Sequence, residues 1–369
     1  TAVARQAEVK QILGEKYAGD TIAVTVKRGD EEIKAELVLA AELVAFESGF
    51  LGILPVREGT GEDAPAGVGV RFVYPDSPAA KVGLQKRDRI IRFAGEETPD
   101  AAKLTELVSR VRPGETAELV FTRDGQEQTV EVELASLPAT VPADLPTSSI
   151  PPPPAEDAGE DGPQTGRFTV EMPAFERSYW AYVPDNYNPN HRYGLLVWLH
   201  PGGDTMQAAM IRHWRGLCDQ RGIMIVAPLA GDPRGWIPNE TEFIKGAVEE
   251  MTANYSVDPA RVFLHGFSTG GNFALQTAFK ERELFRGVAA VAAPLQTRPP
   301  ENDPDYRLQL YLACGSEDNL LRQVRATAEA LERLKYPVTF TEIKELDHRY
   351  PPDATIEEIA RWADALDRI

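Results

Sequence analysis

The string Gly266-Phe267-Ser268-Thr269-Gly270 sets a serine between two glycines at a spacing suited to nucleophilic chemistry. A serine hydroxyl attacks poorly until a base takes its proton, so a histidine must accompany it. The chain offers five: His191, His200, His213, His265 and His348. Its two cysteines, Cys218 and Cys314, are far apart and read as free, semi-buried thiols. His, Cys and Asp residues nowhere cluster at metal-ligand spacing, so neither a metal nor a cofactor is expected.

The elements flanking Ser268 explain how it could be presented. Residues 261–264 form a β-branched and apolar run with the character of a buried parallel strand, and residues 272–281 have helical spacing. A serine at the tip of a tight strand-to-helix turn crowds its own backbone, so the positions two before and two after it must stay small. The following helix aims its N-terminus at the reacting centre, which favours developing negative charge. From residue 167 onward, strands and helices alternate with short connections, which predicts a mostly parallel sheet wrapped on both faces. Residues 168–172 and 177–183 read as an antiparallel opening pair. Buried strands are expected at 194–199, 223–228, 261–264, 287–292, 308–313 and 338–343, and helices near 206–221, 242–255, 272–281, 320–334 and 356–366.

With Ser268 after the third of those buried strands, residues 167–369 resemble an α/β hydrolase. The run Tyr255-Ser256-Val257-Asp258-Pro259-Ala260-Arg261-Val262 gives the resemblance the flavour of polyhydroxybutyrate-depolymerase-like, feruloyl-esterase-like and phospholipase/carboxylesterase-type enzymes. The fold implies the order serine, acid, histidine, and only His348 follows Ser268. The family's acid comes three residues after the strand's closing glycine, which selects Asp318 after Gly315, with Glu317 as the alternative. An oxyanion hole is implied at the N–H groups of Thr269 and of the loop His200-Pro201-Gly202-Gly203-Asp204. There Pro201, without an N–H, replaces the family's first glycine, so Gly202 is the candidate donor and Gly203 its alternative. Trp236 is the candidate substrate wall, and the absence of a long insertion implies an open site able to take a bulky or polymeric ester. The resemblance thus implies a serine esterase. Two other readings stand beside it, a peptidase of the same fold and a catalytically silent adaptor.

The first 137 residues contain a repeated order of elements. A helical pattern over 1–16 leads to alternating strands at 21–28 and 32–39, joined at Gly29-Asp30. The same sequence of helix, strand, turn and strand recurs at 101–111, 115–123, Asp124-Gly125 and 128–134. Residues 47–137 resemble a PDZ domain of the kind found in bacterial envelope proteases. The resemblance rests on Gly49-Phe50-Leu51-Gly52-Ile53, on Asp76-Ser77-Pro78-Ala79-Ala80-Lys81-Val82-Gly83-Leu84, and on Arg87-Asp88-Arg89-Ile90, where Arg87 stands in the family's glycine position. It implies that Leu51, Gly52 and Ile53 form a carboxylate-binding loop for a peptide or protein C-terminus, with a packing or oligomerisation role as the alternative. Residues 1–42 then read as the second half of another such unit. Residues 138–166, with four prolines at 151–154, read as a semi-stiff, acidic linker.

A formal net charge of −18 over 369 residues argues against nucleic acid or an anionic membrane as partner. No apolar run approaches the roughly 20 residues that cross a bilayer, and no signal pattern is present. The charge, the envelope-protease flavour and the proline-rich linker point to an extracytoplasmic bacterial protein. The chain is read as beginning inside a domain, and both a monomer and an oligomer stay open.

Overall fold

A computed structural model describes residues 3, 5–28, 31–41, 45–57, 66–147, 150–151 and 163–369. The chain forms two compact units, Thr1–Ala45 and Phe46–Ile369.

The first unit is helix α1 (Gln6–Leu13) followed by strands β1 (Thr21–Arg28) and β2 (Glu31–Val38), paired antiparallel with Thr21 opposite Val38. The expected turn at Gly29-Asp30 lies outside the described residues. One helix and one hairpin cannot enclose a core. Apolar side chains accordingly remain exposed, with Tyr17 at 80% and Val38 at 70%.

The second unit opens with a small α+β fold built from β3 (Gly49–Phe50), β4 (Ile53–Pro55), β5 (Val68–Val73), α2 (Pro78–Lys81), β6 (Arg89–Phe93), β7 (Glu96–Glu97), α3 (Ala101–Arg110), β8 (Thr116–Arg123), β9 (Gln126–Glu133) and β10 (Ala135–Ser136). Strands β4-β5-β6-β8-β9 form its main sheet, and β3 pairs with β10. Asp100 caps α3 by accepting the Lys103 N–H at 2.8 Å, and Leu104, Leu107 and Val108 at helical spacing turn inward. Arg87 takes the left-handed conformation of the glycine it replaces, with φ 80°, and its N–H donates to Val70 O at 2.9 Å. The turn is kept at a cost of about 1 kcal/mol or more in backbone strain. Asp88 fastens it by accepting from Gln85 N–H and the Arg123 guanidinium, each at 2.7 Å.

The stretch after β10 departs from the expected linker. Among its described residues Leu145 is buried, and Val141 and Ile150 pack on the core. Its carbonyls accept side-chain bonds: Thr339 to Ala139 at 2.7 Å and Asn188 to Pro151 at 3.2 Å. A few apolar residues and donor-free prolines let an irregular segment adhere to a surface without a partner strand. Residues 152–162, which include three of the four prolines, lie outside the described residues.

The rest of the unit comprises β11 (Gly166–Met172), β12 (Arg177–Val183), β13 (Tyr193–Leu199), α4 (Gln207–Arg221), β14 (Ile223–Pro228), α5 (Thr241–Asn254), β15 (Val257–Phe267), α6 (Thr269–Lys280), β16 (Gly287–Val291), β17 (Gln309–Gly315), α7 (Leu321–Arg333), β18 (Val338–Ile343) and α8 (Asp353–Asp364). Eight strands run in the order β11-β12-β14-β13-β15-β16-β17-β18, antiparallel through β12 and β14 and parallel from β14 to β18. The central parallel strands are buried on both faces; every residue of β13, β14, β16 and β17 is inside. Cys218 and Cys314 are free and fully buried rather than semi-buried, because each faces the packing between sheet and helices. The C-terminal ends of the parallel strands lie along one edge, where sites form in open α/β sheets.

Candidate active site

Strand β15 ends at Phe267, α6 starts at Thr269, and Ser268 between them has φ 53° and ψ −122°. A non-glycine residue held there stores about 1–3 kcal/mol of strain. The Ser268 N–H donates to Val291 O at 2.9 Å, and its carbonyl accepts from Asn272 N–H at 3.0 Å. Only glycine can occupy position 270, since a Cβ there would lie 2.0 Å from Leu199 O. That close approach brings the start of α6 against the end of β13.

His348 and Asp318 arrive from the loops after β18 and β17. The imidazole Nε2 lies 2.9 Å from Ser268 Oγ, and Nδ1 lies 2.8 Å from Asp318 Oδ2. A carboxylate only accepts, so Nδ1 carries the proton and Nε2 is left to accept from the serine hydroxyl. Asp318 is buried, and its other oxygen accepts the Leu320 N–H at 2.8 Å. Glu317, the alternative acid, is exposed and contributes its N–H to Leu346 O at 2.9 Å. Asp347 is exposed and paired with Arg349. The two loops touch at Gly315, where a Cβ would meet Leu346 O at 2.0 Å.

Two supports of this arrangement have no sequence signature. Tyr350, two residues past His348, receives the Trp214 indole N–H at 2.9 Å and lies 2.7 Å from His265 Nε2. His265 donates Nδ1–H to Ala289 O at 2.8 Å, so its Nε2 accepts from the tyrosine hydroxyl. Complete burial depresses the His265 pKa to about 4 and keeps the ring neutral, which suits a structural role. Glu240, also buried, accepts the N–H groups of Gly231 at 2.8 Å and Ile237 at 2.6 Å and pairs with Arg177, which fixes the loop carrying Trp236. A hydrophobic pattern cannot announce either support, because both work through single polar contacts between distant segments.

The candidate oxyanion loop lies beside the start of α6. Gly202 N–H donates to Thr269 Oγ1 at 2.8 Å, whereas Gly203 N–H is committed to Pro233 O at 2.6 Å. His200 accepts the Ala230 N–H at Nε2 and donates Nδ1–H to Pro201 O, which braces the loop from within. Trp236 is half-buried: its indole donates to His200 O at 2.8 Å and stacks on Phe273 at a ring distance of 5.7 Å. The expected substrate wall therefore also ties the 200–204 loop to α6. In the smaller fold, Gly52 and Ile53 both donate their N–H groups to the main-chain oxygen of Ile369, at 2.7 and 3.1 Å, while Leu51 is buried and its carbonyl accepts from Ala79. Among the described residues no group of three or more His, Cys, Asp or Glu side chains gathers at metal-binding distance.

Known proteins correspond to the same two parts. Residues 49–134 match the PDZ domain family, and residues 238–368 match the prolyl oligopeptidase family. Similar proteins include a probable periplasmic serine endoprotease DegP-like of Hahella chejuensis, 33% identical over 35% of this chain and 27% of that protein. A probable feruloyl esterase C of Aspergillus clavatus is 32% identical over 31% of this chain and 46% of that protein. A putative esterase, NocK, of Nocardia uniformis is 31% identical over 34% of this chain and 40% of that protein. The chain spans less than half the length of each of these relatives. Among solved structures, a ferulic acid esterase aligns over 55% of this chain and all of its own, at 18% identity and a TM-score of 0.45.

Proposed function

The chain joins a PDZ domain to an α/β-hydrolase domain of esterase type, and we propose that the latter is a serine carboxyl-ester hydrolase working through an acyl-enzyme. The two hydrogen bonds that link Ser268 to His348 and His348 to Asp318 carry the proposal. Ser268 Oγ attacks the ester carbonyl as its proton passes to His348 Nε2, and Asp318 stabilises the imidazolium. The oxyanion then receives the Thr269 and Gly202 N–H groups. Because Gly202 N–H is now given to Thr269 Oγ1, that hydroxyl turns away, or donates itself, as the oxyanion forms. Collapse expels the alcohol, which takes the proton from His348, and water repeats the sequence on the acyl group.

The exposure of His348, 44% for its side chain, supports an open site that accepts a bulky or polymeric ester. The match of residues 238–368 to an oligopeptidase family favours one second reading, in which the scissile bond is a peptide. We also take residues 1–42 as the second half of a further PDZ-like unit, since its helix and hairpin repeat the order of α3, β8 and β9. An extracytoplasmic location is proposed from the periplasmic relatives. Among the described residues no helix is long and apolar enough to cross a membrane.

Turnover of p-nitrophenyl acetate, butyrate and octanoate, measured beside aminoacyl and dipeptidyl anilides, tests the assignment. Ester hydrolysis with little anilide cleavage is expected. Preferential cleavage of the anilides would replace the esterase by the peptidase, and inertness toward both would leave the silent adaptor.

A further inference from the structure

Two of the three expected donors of the PDZ carboxylate loop, Gly52 and Ile53, are already taken, and the acceptor is this chain's own residue 369. Gly52 and Ile53 N–H groups donate to Ile369 O, and Ile369 N–H donates back to Ile53 O at 3.0 Å, so the last residue pairs along the edge of β4 as an added strand would. The Ile369 side chain is fully buried within the PDZ core, together with Leu51, Ile53, Leu107 and Val108.

A second set of contacts fixes the residues just before it. Arg57, two residues past β4, grips Asp367 through Nε at 2.8 Å and a second nitrogen at 3.0 Å. The same guanidinium reaches Asp364 Oδ1 at 2.7 Å and also bonds the Asp364 carbonyl. Arg57, Asp364 and Asp367 are all buried, so no part of this arrangement is a loose surface pair. Arg368, also buried, donates to Pro138 O at 2.9 Å and thereby ties the segment to the stretch that leaves the PDZ domain.

We propose that the PDZ groove is an intramolecular socket, which holds residues 364–369 of the hydrolase domain and is closed to partner peptides while it does so. The socket has a readable specificity: a buried aliphatic residue against Leu51, Ile53 and α3, with an acidic residue two positions earlier against Arg57. A competing ligand would need the same pattern, aspartate or glutamate, any residue, then isoleucine or a close relative. The PDZ domain thus serves to clamp the two domains to each other, whatever reaction the hydrolase performs.

Amide hydrogen exchange at Gly52 and Ile53, in the full chain and in its Ile369→Asp variant, is the test. In the wild type both amides should be protected, and the variant should exchange them at least about tenfold faster, since a charged side chain cannot enter the pocket and the acceptor is withdrawn. A fluorescein-labelled peptide with the sequence of Trp362–Ile369 should bind that variant at least about tenfold more tightly than the wild type, because it no longer competes with a tethered copy. Should Ile369→Asp fail to fold, Ile369→Ala keeps the backbone and should show the same exchange change at smaller size. Equal exchange at Gly52 and Ile53 in wild type and variant overturns the proposal whatever the peptide does. Equal peptide affinity for the two overturns it as well.

Discussion

The final stretch of the chain serves two regions that are built in opposite ways. At its start, His348 stands at the surface with its side chain 44% exposed, oriented by one buried carboxylate and by the Tyr350 anchor behind it. At its end, from the last residue of α8 onward, the chain enters the PDZ groove, where Asp364, Asp367 and Ile369 are buried and bound by Arg57 and by the loop N–H groups. A group that must exchange protons with substrate needs access and slack, so its precision comes from the supporting contacts. A contact whose task is to hold two domains together gains from burial, and accepts the desolvation of its charges because they are paired. On the proposed reading, chemistry and cohesion are separated along some twenty residues of one chain, and substitutions at the two ends should have different signatures.

The largest effect is expected at the chemical end. Ser268→Ala and His348→Ala should each lower ester turnover by about 10⁴-fold or more, with unfolding midpoints at or above that of the wild type, because the strained serine and the exposed imidazole contribute little cohesion. A stopped-assay comparison together with a urea titration checks both halves. Asp318→Asn should follow, with a loss of about 10³- to 10⁴-fold in kcat, since an amide stabilises the wrong imidazole tautomer.

Arg57→Ala should reverse the pattern. Leaving Asp364 and Asp367 buried without this partner should cost about 3 to 5 kcal/mol of stability, read as a lower urea midpoint, while kcat at moderate temperature changes by no more than about threefold. A large kcat loss without destabilisation would mean that the clamp and the chemistry are not separate.

The pH dependence of stability sharpens the contrast further. Burial, with nearby guanidinium groups adding at His191, lowers the pKa of His191 and of His265 to about 4 in the folded chain. In the unfolded chain both titrate near 6.5, so between about pH 6.5 and 4 only the unfolded state binds these protons. Their contribution is fully present above about pH 6.5 and falls as pH drops toward 4. Asp364 is desolvated by burial, yet Arg57 and its neighbours hold its pKa down to about 2, so its contribution persists above about pH 4 and is lost as pH falls through 2. Unfolding midpoints measured from pH 7 to 4 should decline, and His265→Gln should flatten part of that decline by about 1.4 kcal/mol per unit of lost shift. The smallest effect is expected at Thr269→Val, which removes the hydroxyl on Gly202 N–H without touching the Thr269 N–H. A change in kcat/KM within about fivefold would place that hydroxyl outside the reaction.

The arrangement of the candidate site was largely legible in the sequence, and the contacts of the proposed clamp were not. The strand, the glycine-flanked Ser268 and the following helix form one contiguous string whose crowding only glycine relieves, and the buried strands were visible as unbroken apolar runs. His348 and Asp318 each sit a few residues past such a strand, so their proximity followed from the sheet order. By contrast, Arg57 meets Asp364 and Asp367 across about three hundred residues, and nothing in either local pattern marks the pairing. The groove motif at Leu51, Gly52 and Ile53 was readable, but its occupant was not, because a segment as short as residues 364–369 carries no periodicity. The stretch 138–151 misled for the same reason: its prolines spoke for an extended chain, and the three apolar residues that fasten it to the core were too sparse to register.

The proposed chemistry requires Ser268 as the nucleophile, and covalent labelling tests that most directly. A fluorophosphonate probe should phosphonylate the intact protein with release of fluoride, and mass spectrometry should locate the adduct on Ser268, in the peptide that includes Gly266-Phe267-Ser268-Thr269-Gly270. The Ser268→Ala variant should remain unlabelled, and His348→Ala should label far more slowly. An adduct on another residue, or equal labelling of wild type and Ser268→Ala, would contradict the proposed mechanism.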